Sequence, residues 1–339
     1  MSDKITIIEI AKLANVSTAT VSRIINKTGR VNKEKEKLVL DIIEKYNYKP
    51  STIAKALQSS KSNTVGFIVP HINSPYYAQI FYETEIIAQK KGFTLMLCNS
   101  ESDKLLESKI LNEFIAANVR AIVLMGGRLD DLMADKKYLD EIERINNKVP
   151  VISCVDVPEL NCITIGQNIA NSSVKLLKHL SEKNYKELIM VGGYSHIRST
   201  VIRRNAILEN AEKYGIKVSS EIIECDYSVE SGSIVMQQLI SSGSLPQAII
   251  CINDLVAIGV LSEAHKNNLK VPDDIAIVGY DNLDISQYFY PGITTIASNY
   301  KEYAKAIVYA IQNIESLDNN MQISLETDLI VRGTTQARE

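Results

Sequence analysis

The outer face of the segment from Thr18 to Asn26 offers hydroxyls, a methyl and one guanidinium, at Thr18, Ala19, Ser22 and Arg23, and no acid. Such side chains can hydrogen-bond base edges and phosphate oxygens and can rest on thymine methyls, so a helix carrying them can lie close in a major groove. The elements that would position them are legible on either side. Thr6 with Glu9 forms a capping box that starts a helix at Ile7, and Ile7, Ile10, Ala11 and Ala14 share its apolar face. Asn15-Val16 suits a turn and Ser17 an N-cap, and Val21, Ile24 and Ile25 return an apolar stripe at helical spacing. The pair predicts two short helices around a tight turn, a DNA-reading element. The bland alternative is an ordinary three-helix bundle with a solvated face.

Charge favours the first reading. Residues 1 to 61 hold 12 Lys or Arg against 6 Asp or Glu, a balance of +6, whereas the rest hold 25 against 34, a balance of −9. An overall pI of 5.9 therefore hides a basic head on an acidic body, the asymmetry expected when a small module meets phosphates and a larger one does not. Lys4, Lys12, Lys27, Arg30, Lys33, Lys35, Lys37, Lys49 and Lys55 are candidate backbone contacts. At 339 residues and 45% hydrophobic, the chain can bury a large core. Its first residues are polar and no apolar run approaches the ~20 residues a bilayer requires, which predicts neither signal peptide nor anchor and a cytoplasmic protein. Five cysteines without a CxxC pair, with Cys98, Cys154 and Cys251 following apolar runs, predict buried thiols rather than disulfides or zinc ligands.

Along the chain, Asn32 can cap a third helix running to about Tyr46, with Val39, Ile42, Ile43 and Tyr46 as its packing face. Pro50 breaks the pattern, and Ser51 to Gln58 is too short to be a stable helix without a partner. A polar connector, 59 to 63, leads to a buried strand at 64 to 70. Apolar runs at 93–98, 120–125, 150–154, 187–191, 221–225, 247–252 and 275–280 then alternate with helical spans, the pattern of parallel sheets covered on both faces. The series is too long for one sheet and is irregular near 155 to 165, which predicts two similar lobes with a cleft. Ligands in such lobes bind at the carboxyl ends of strands.

The motifs Ile10-Ala11-Lys12-Leu13-Ala14-Asn15-Val16-Ser17, Ala19-Thr20-Val21-Ser22-Arg23-Ile24-Ile25-Asn26 and Tyr48-Lys49-Pro50-Ser51 resemble those of LacI/GalR transcription regulators. So do Asn253 to Gly259, Val271 to Ile275 and Val278 to Asn282 in the body. The resemblance spans essentially the whole chain. It implies an α/β protein: an N-terminal all-α helix-turn-helix domain (1–49), a hinge helix and linker (50–61), and a two-lobed periplasmic-binding-protein-like core of parallel sheets (62–339). It also implies a homodimer on a palindromic double-stranded operator, probing bases with Thr18, Ala19 and Arg23 and phosphates with Ser17, Thr20, Ser22 and Asn26, besides Thr6 at the first helix's start. In the implied hinge, Leu57 is the minor-groove wedge, with Ser51 capping and Ala54 and Lys55 lining the groove.

By the same resemblance the effector cleft is lined by Asn73, Tyr76, Tyr77, Arg198, Arg203, Tyr227, Asn253 and Asp281. Aromatic faces beside carboxylate and amide groups suit a sugar. Each candidate has a structural alternative: one tyrosine packing inward, Asp281 and Asn253 capping the segments that follow them. The chain departs from the family where an arginine is often found (Val201, with Arg198 nearby), where an aspartate is frequent (Val155, with Asp156 next), and at Ser298, where a glutamine is usual. A phosphorylated sugar, a sugar acid or a protein co-regulator therefore stay open beside a plain sugar. The expected function is a sequence-specific repressor of carbohydrate-related genes controlled by a small molecule, with no cofactor, metal or membrane partner. The competing readings are a solute-binding receptor for transport and a nucleotide-dependent enzyme. Against the enzyme, there is no GxGxxG or Walker lysine motif, and His71, His179, His196 and His265 are scattered.

Overall fold

The computed structural model describes residues 5–26, 31–46, 48, 62–134, 136–219 and 222–336. The hinge candidates Ser51, Ala54, Lys55 and Leu57, and the basic residues Lys4, Lys27, Arg30 and Lys49, lie outside the described residues. The chain divides into two compact units, Met1–Ser62 and Asn63–Glu339.

In the first unit, α1 (Ile7–Leu13) begins with a complete capping box: the Glu9 amide donates to Thr6 Oγ1 at 3.3 Å and the Thr6 amide to Glu9 Oε2 at 2.7 Å. Asn15 takes a left-handed φ of +48° in the turn, a conformation asparagine tolerates. Ser17 Oγ accepts the Thr20 amide at 3.1 Å and so caps α2 (Thr18–Asn26). Asn32 Oδ1 accepts the Glu34 amide at 2.8 Å at the head of α3 (Lys33–Lys45). Ile10, Ala11, Ala14, Val21, Ile24 and Val39 form the buried core, with Ile42 and Ile43 at its edge. One expectation fails: Tyr46 is exposed, and Tyr48 packs on the core instead, because Tyr46 is already the C-cap where α3 ends.

The second unit holds two six-stranded sheets. The first comprises β1 (Thr64–Val69), β2 (Thr94–Asn99), β3 (Ile122–Leu124), β4 (Val151–Ser153), β5 (Ile163–Gln167) and β11 (Gln322–Leu325), in the order β11-β5-β4-β3-β1-β2 and parallel throughout. The second comprises β6 (Glu187–Val191), β7 (Lys217–Val218), β8 (Ala248–Cys251), β9 (Ala276–Asp281), β10 (Thr294–Ala297) and β12 (Asp328–Ile330), in the order β12-β10-β9-β8-β6-β7, with only β12 antiparallel. Helices α4 (Pro75–Lys90), α5 (Lys104–Ala116), α6 (Lys136–Asn146) and α11 (Tyr300–Asn313) cover the first sheet, and α7 (Ile169–Glu182), α8 (Arg198–Ala211), α9 (Val229–Ser242) and α10 (Asp254–Lys266) the second.

The strand residues alternate between the two covered faces. Val65, Phe67 and Val69 meet Ile307 and Ile311 of α11, while Ile68 meets Leu111 and Phe114 of α5. Each fully buried side chain of this size contributes about 1.5–3 kcal/mol through apolar burial. The chain passes between lobes three times, after β5, between β10 and α11, and between β11 and β12. The first crossing follows the irregular stretch at 155–165, since β5 still pairs with β4 in the first sheet. Of the run at 221–225, the described residues 222–225 form no strand: Ile223 and Cys225 make single bridges to Val191 and Gly193, and β7 supplies the edge.

Candidate functional site

In the first unit, Thr18, Ala19 and Arg23 are exposed on α2, while Thr20 and Ser22 are half-buried beside them. The rest of the helix turns Val21 and Ile24 inward, so packing leaves this acid-free face outward. Ser17 and Thr20 share a 2.9 Å hydroxyl contact at the helix head. Lys12, Lys33, Lys35, Lys37 and Lys45 are exposed around it.

In the second unit, loops at the carboxyl ends of strands bring residues of both lobes together. After β1, Asn99 Oδ1 accepts the Ile72 amide at 2.9 Å, and α4 opens with Pro75 at its first turn, carrying Tyr76 and Tyr77. Tyr76 stacks edgewise on Tyr77 and lies 6.1 Å, centroid to centroid, from Tyr300 at the start of α11. After β3, Gly126 has φ +65°, and a Cβ there would lie 2.5 Å from the Tyr77 hydroxyl, so this glycine leaves room for the phenol.

From the second lobe, Arg203 on α8 donates to the Ile252 carbonyl at 2.7 Å, lies 3.7 Å from an Asp281 carboxylate oxygen and sits over the Tyr280 ring at 4.6 Å. Asp281 ends β9 with φ +99°, a strained conformation of the kind that persists where surrounding structure fixes a side chain for use. Burial pushes its carboxyl up to about 6, although Arg203 opposes the shift. Behind it Asp254, fully buried, accepts from the Thr295 hydroxyl and the Leu283 amide, each at 2.7 Å. Burial, then the neighbouring Asp281 charge, push Asp254 up to about 7. Burial also raises the Tyr76 and Tyr300 phenols, and the Asp281 charge adds to both. Tyr300 Oη is buried without a hydrogen-bond partner.

Tyr76, Tyr77, Arg203, Tyr227 and Asp281 thus share one electrostatic neighbourhood. Asn73 is exposed on the loop before α4. The Asn253 amide is committed twice, accepting the Val256 amide as N-cap of α10 and donating to the Tyr227 carbonyl at 3.1 Å, so it positions Tyr227. Arg198 lies 3.9 Å from Glu159 of the other lobe. Val155 is buried in the first lobe and Asp156 is exposed, so neither supplies a carboxylate here. Asp130 does. It ends the turn after β3 and crosses to α8, accepting the Ser199 amide at 2.8 Å and the Ser199 hydroxyl at 2.6 Å. The Leu132 amide donates to the His196 carbonyl at 2.8 Å, and Asp131 bridges Ile197 alongside. Sequence reading missed Asp130, Ser199, Tyr300 and Asp254. Their one available signal was position, just after a strand or at a helix start.

Among the described residues no cluster of His, Cys, Asp or Glu is arranged to hold a metal ion, and no helix is long and apolar enough to cross a membrane.

Residues 6–51 match the family model described as bacterial regulatory proteins, lacI family, and residues 177–335 match the periplasmic binding protein-like domain. Over 339 residues the chain is 29% identical to the HTH-type transcriptional repressor PurR of Pasteurella multocida, covering 98% of this chain and 99% of the relative. It is 30% identical over 307 residues to PurR of Histophilus somni strain 2336, covering 86% of each. Among solved structures, the Lac repressor dimer bound to operator and the anti-inducer ONPF aligns with a TM-score of 0.85 at 20% identity, over 99% of this chain and 100% of that one. A LacI-type regulator from Alkaliphilus metalliredigens complexed with D-xylulofuranose aligns with a TM-score of 0.68 at 25% identity, over 81% of this chain and all of that one. The chain belongs to the LacI family of bacterial regulatory proteins and is a DNA-binding transcriptional repressor rather than an enzyme.

Proposed function

We propose that the protein is a cytoplasmic, homodimeric repressor that binds a palindromic operator through residues 1–49 and 50–61 and releases or tightens its grip when a sugar or sugar derivative enters the cleft of residues 62–339. Thr18, Ala19 and Arg23 read base edges; Thr6, Ser17, Thr20, Ser22 and Asn26 hold phosphates; Ser51, Ala54, Lys55 and Leu57 form the hinge contact. The observation that carries this reading is the exposed, acid-free face of α2 on a head of balance +6. Two such heads related by a two-fold axis require half-sites about one helical turn apart.

In the cleft, Asp281 and Arg203 offer acceptors and donors to hydroxyls while Tyr76, Tyr77 and Tyr227 offer ring faces, the equipment of a sugar site. Asn73, Arg198 and Asn253 complete the lining proposed. A planar nitrogen heterocycle such as a purine base is the second reading. It is favoured by the Asp281 carboxyl, which with its pKa raised to about 6 can accept from a ring N–H when ionised and donate to a bare ring nitrogen when protonated. Carbohydrate gene control stands or falls with that choice.

Operator selection from genomic fragments, followed by anisotropy titrations with sugars and purine bases added, tests both parts. A duplex preferred over random competitor and altered in affinity by one ligand class is the expected result; no preference with or without ligand would overturn it.

A further inference from the structure

Three features of the cleft that could attract an anion, the head of α8, Arg203 and Arg198, each face a carboxylate of the chain itself. The head of α8, a natural anion seat, is filled by Asp130, whose two oxygens take the Ser199 amide and hydroxyl. Arg203 is held by the Ile252 carbonyl and faces Asp281, and Arg198 faces Glu159. Two arginines thus stand against Asp130, Asp281 and Glu159, with Asp254 buried behind. Asp130 is fixed from its own lobe as well: Gly127 opens its turn with φ +64°, and a Cβ there would lie 2.8 Å from the buried Glu107 carboxylate beneath. The Asp131–Ile197 bridge and the bond from the Leu132 amide to the His196 carbonyl hold the same strand of contact shut.

We propose that Asp130 is a specificity-determining residue of the effector cleft: its carboxylate seals the head of α8 against anionic groups and restricts the effector to neutral molecules that donate hydrogen bonds. This rests on the reading of the cleft as the effector site and narrows it, removing phosphorylated sugars and sugar acids. Each Asp130 oxygen has accepted one hydrogen bond and keeps a further lone pair for a ligand hydroxyl or ring N–H. A phosphate would have to displace a tethered carboxylate and would meet two more.

The test is calorimetric titration of the full chain with inorganic phosphate at neutral pH, comparing wild type, Asp130→Asn, Asp130→Ala and the exposed control Asp156→Asn. Asn at 130 can still accept the Ser199 amide, so it removes charge while keeping the lobes paired. Both position-130 variants should bind phosphate at least about tenfold more tightly than wild type, with Asp156→Asn unchanged. Wild-type protein binding phosphate as tightly as Asp130→Asn would overturn the proposal, and so would an equal gain in Asp156→Asn. If the position-130 variants fail to fold, matched pairs decide on wild type. Ribose should protect it against thermal unfolding at least as well as ribose 5-phosphate, and adenosine at least as well as its monophosphate. Stronger protection by either ester would overturn the proposal. The phosphate contrast does not depend on any ligand altering operator binding, so the effector reading and this one fail separately.

Discussion

Arg203 and Asp281 show what a single residue does here. The guanidinium satisfies a backbone carbonyl, covers a tyrosine ring and neutralises part of a buried carboxylate at once. Replacing Arg203 by Met would leave that carboxylate unpaired in a buried site, and we expect a loss of about 3–5 kcal/mol, read from denaturant midpoints. A loss under 1 kcal/mol would mean that Asp281 is solvated when the arginine is gone. Asp254 gives a pH dependence whose sign is fixed. Its carboxyl lies near 7 in the folded chain against about 4 in an unfolded one, so folding favours the protonated form. The resulting penalty is absent below about pH 4, grows through the window, and is complete above about 7. Relative to wild type, Asp254→Asn should therefore gain stability progressively as pH rises from 4 to 7, checked by urea melts across that range. The opposite slope would refute the assignment. At this scale the sequence offered Asp281 as a candidate through the motif from Val278 to Asn282, and Arg203 and Tyr76 only through the family resemblance. It did not show Asp130, which lies 69 positions from Ser199 and reaches it only because the lobes fold together.

Elements were legible wherever one period dominated. The first two helices carry their own caps and stripes, and Thr6→Ala should lower the head's stability by about 1 kcal/mol, measurable as helix loss by circular dichroism. Long apolar strands such as β1, β8 and β9 were equally plain. What escaped were strands whose identity comes from their neighbours: β10 reads Thr-Thr-Ile-Ala, and its buried threonines pair with β9 and meet the turn at Gly333–Thr335. Helix contacts were also invisible. α9 and α10 approach so closely that a Cβ on Gly259 would lie 2.0 Å from the Val229 carbonyl, and one on Gly232 2.2 Å from that of Val256. Gly259→Ala should cost about 1–3 kcal/mol in thermal or urea unfolding, because backbone rather than a flexible tip must move. A neutral outcome would contradict the packing.

For the whole molecule, three passages between lobes make the cleft a joint rather than a groove, so a ligand that changes lobe closure can do work elsewhere. By linkage, whatever factor the effector applies to operator affinity the operator must apply to effector affinity. A chain beginning at Asn63 keeps all four lobe clusters and should fold while losing operator binding. The charge split between head and body and the alternation of strands and helices announced an all-α head followed by an α/β core. The ligand was not announced, since the groups proposed to line the cleft come from loops far apart in the chain. The most direct measurement is anisotropy of the full chain on its selected operator and on a scrambled duplex of equal length, for wild type and Arg23→Ala. We predict a preference of at least about a thousandfold for the operator, falling by about 1–3 kcal/mol in the variant while scrambled binding changes little. Equal affinity for the two duplexes, or equal loss on both, would contradict the account.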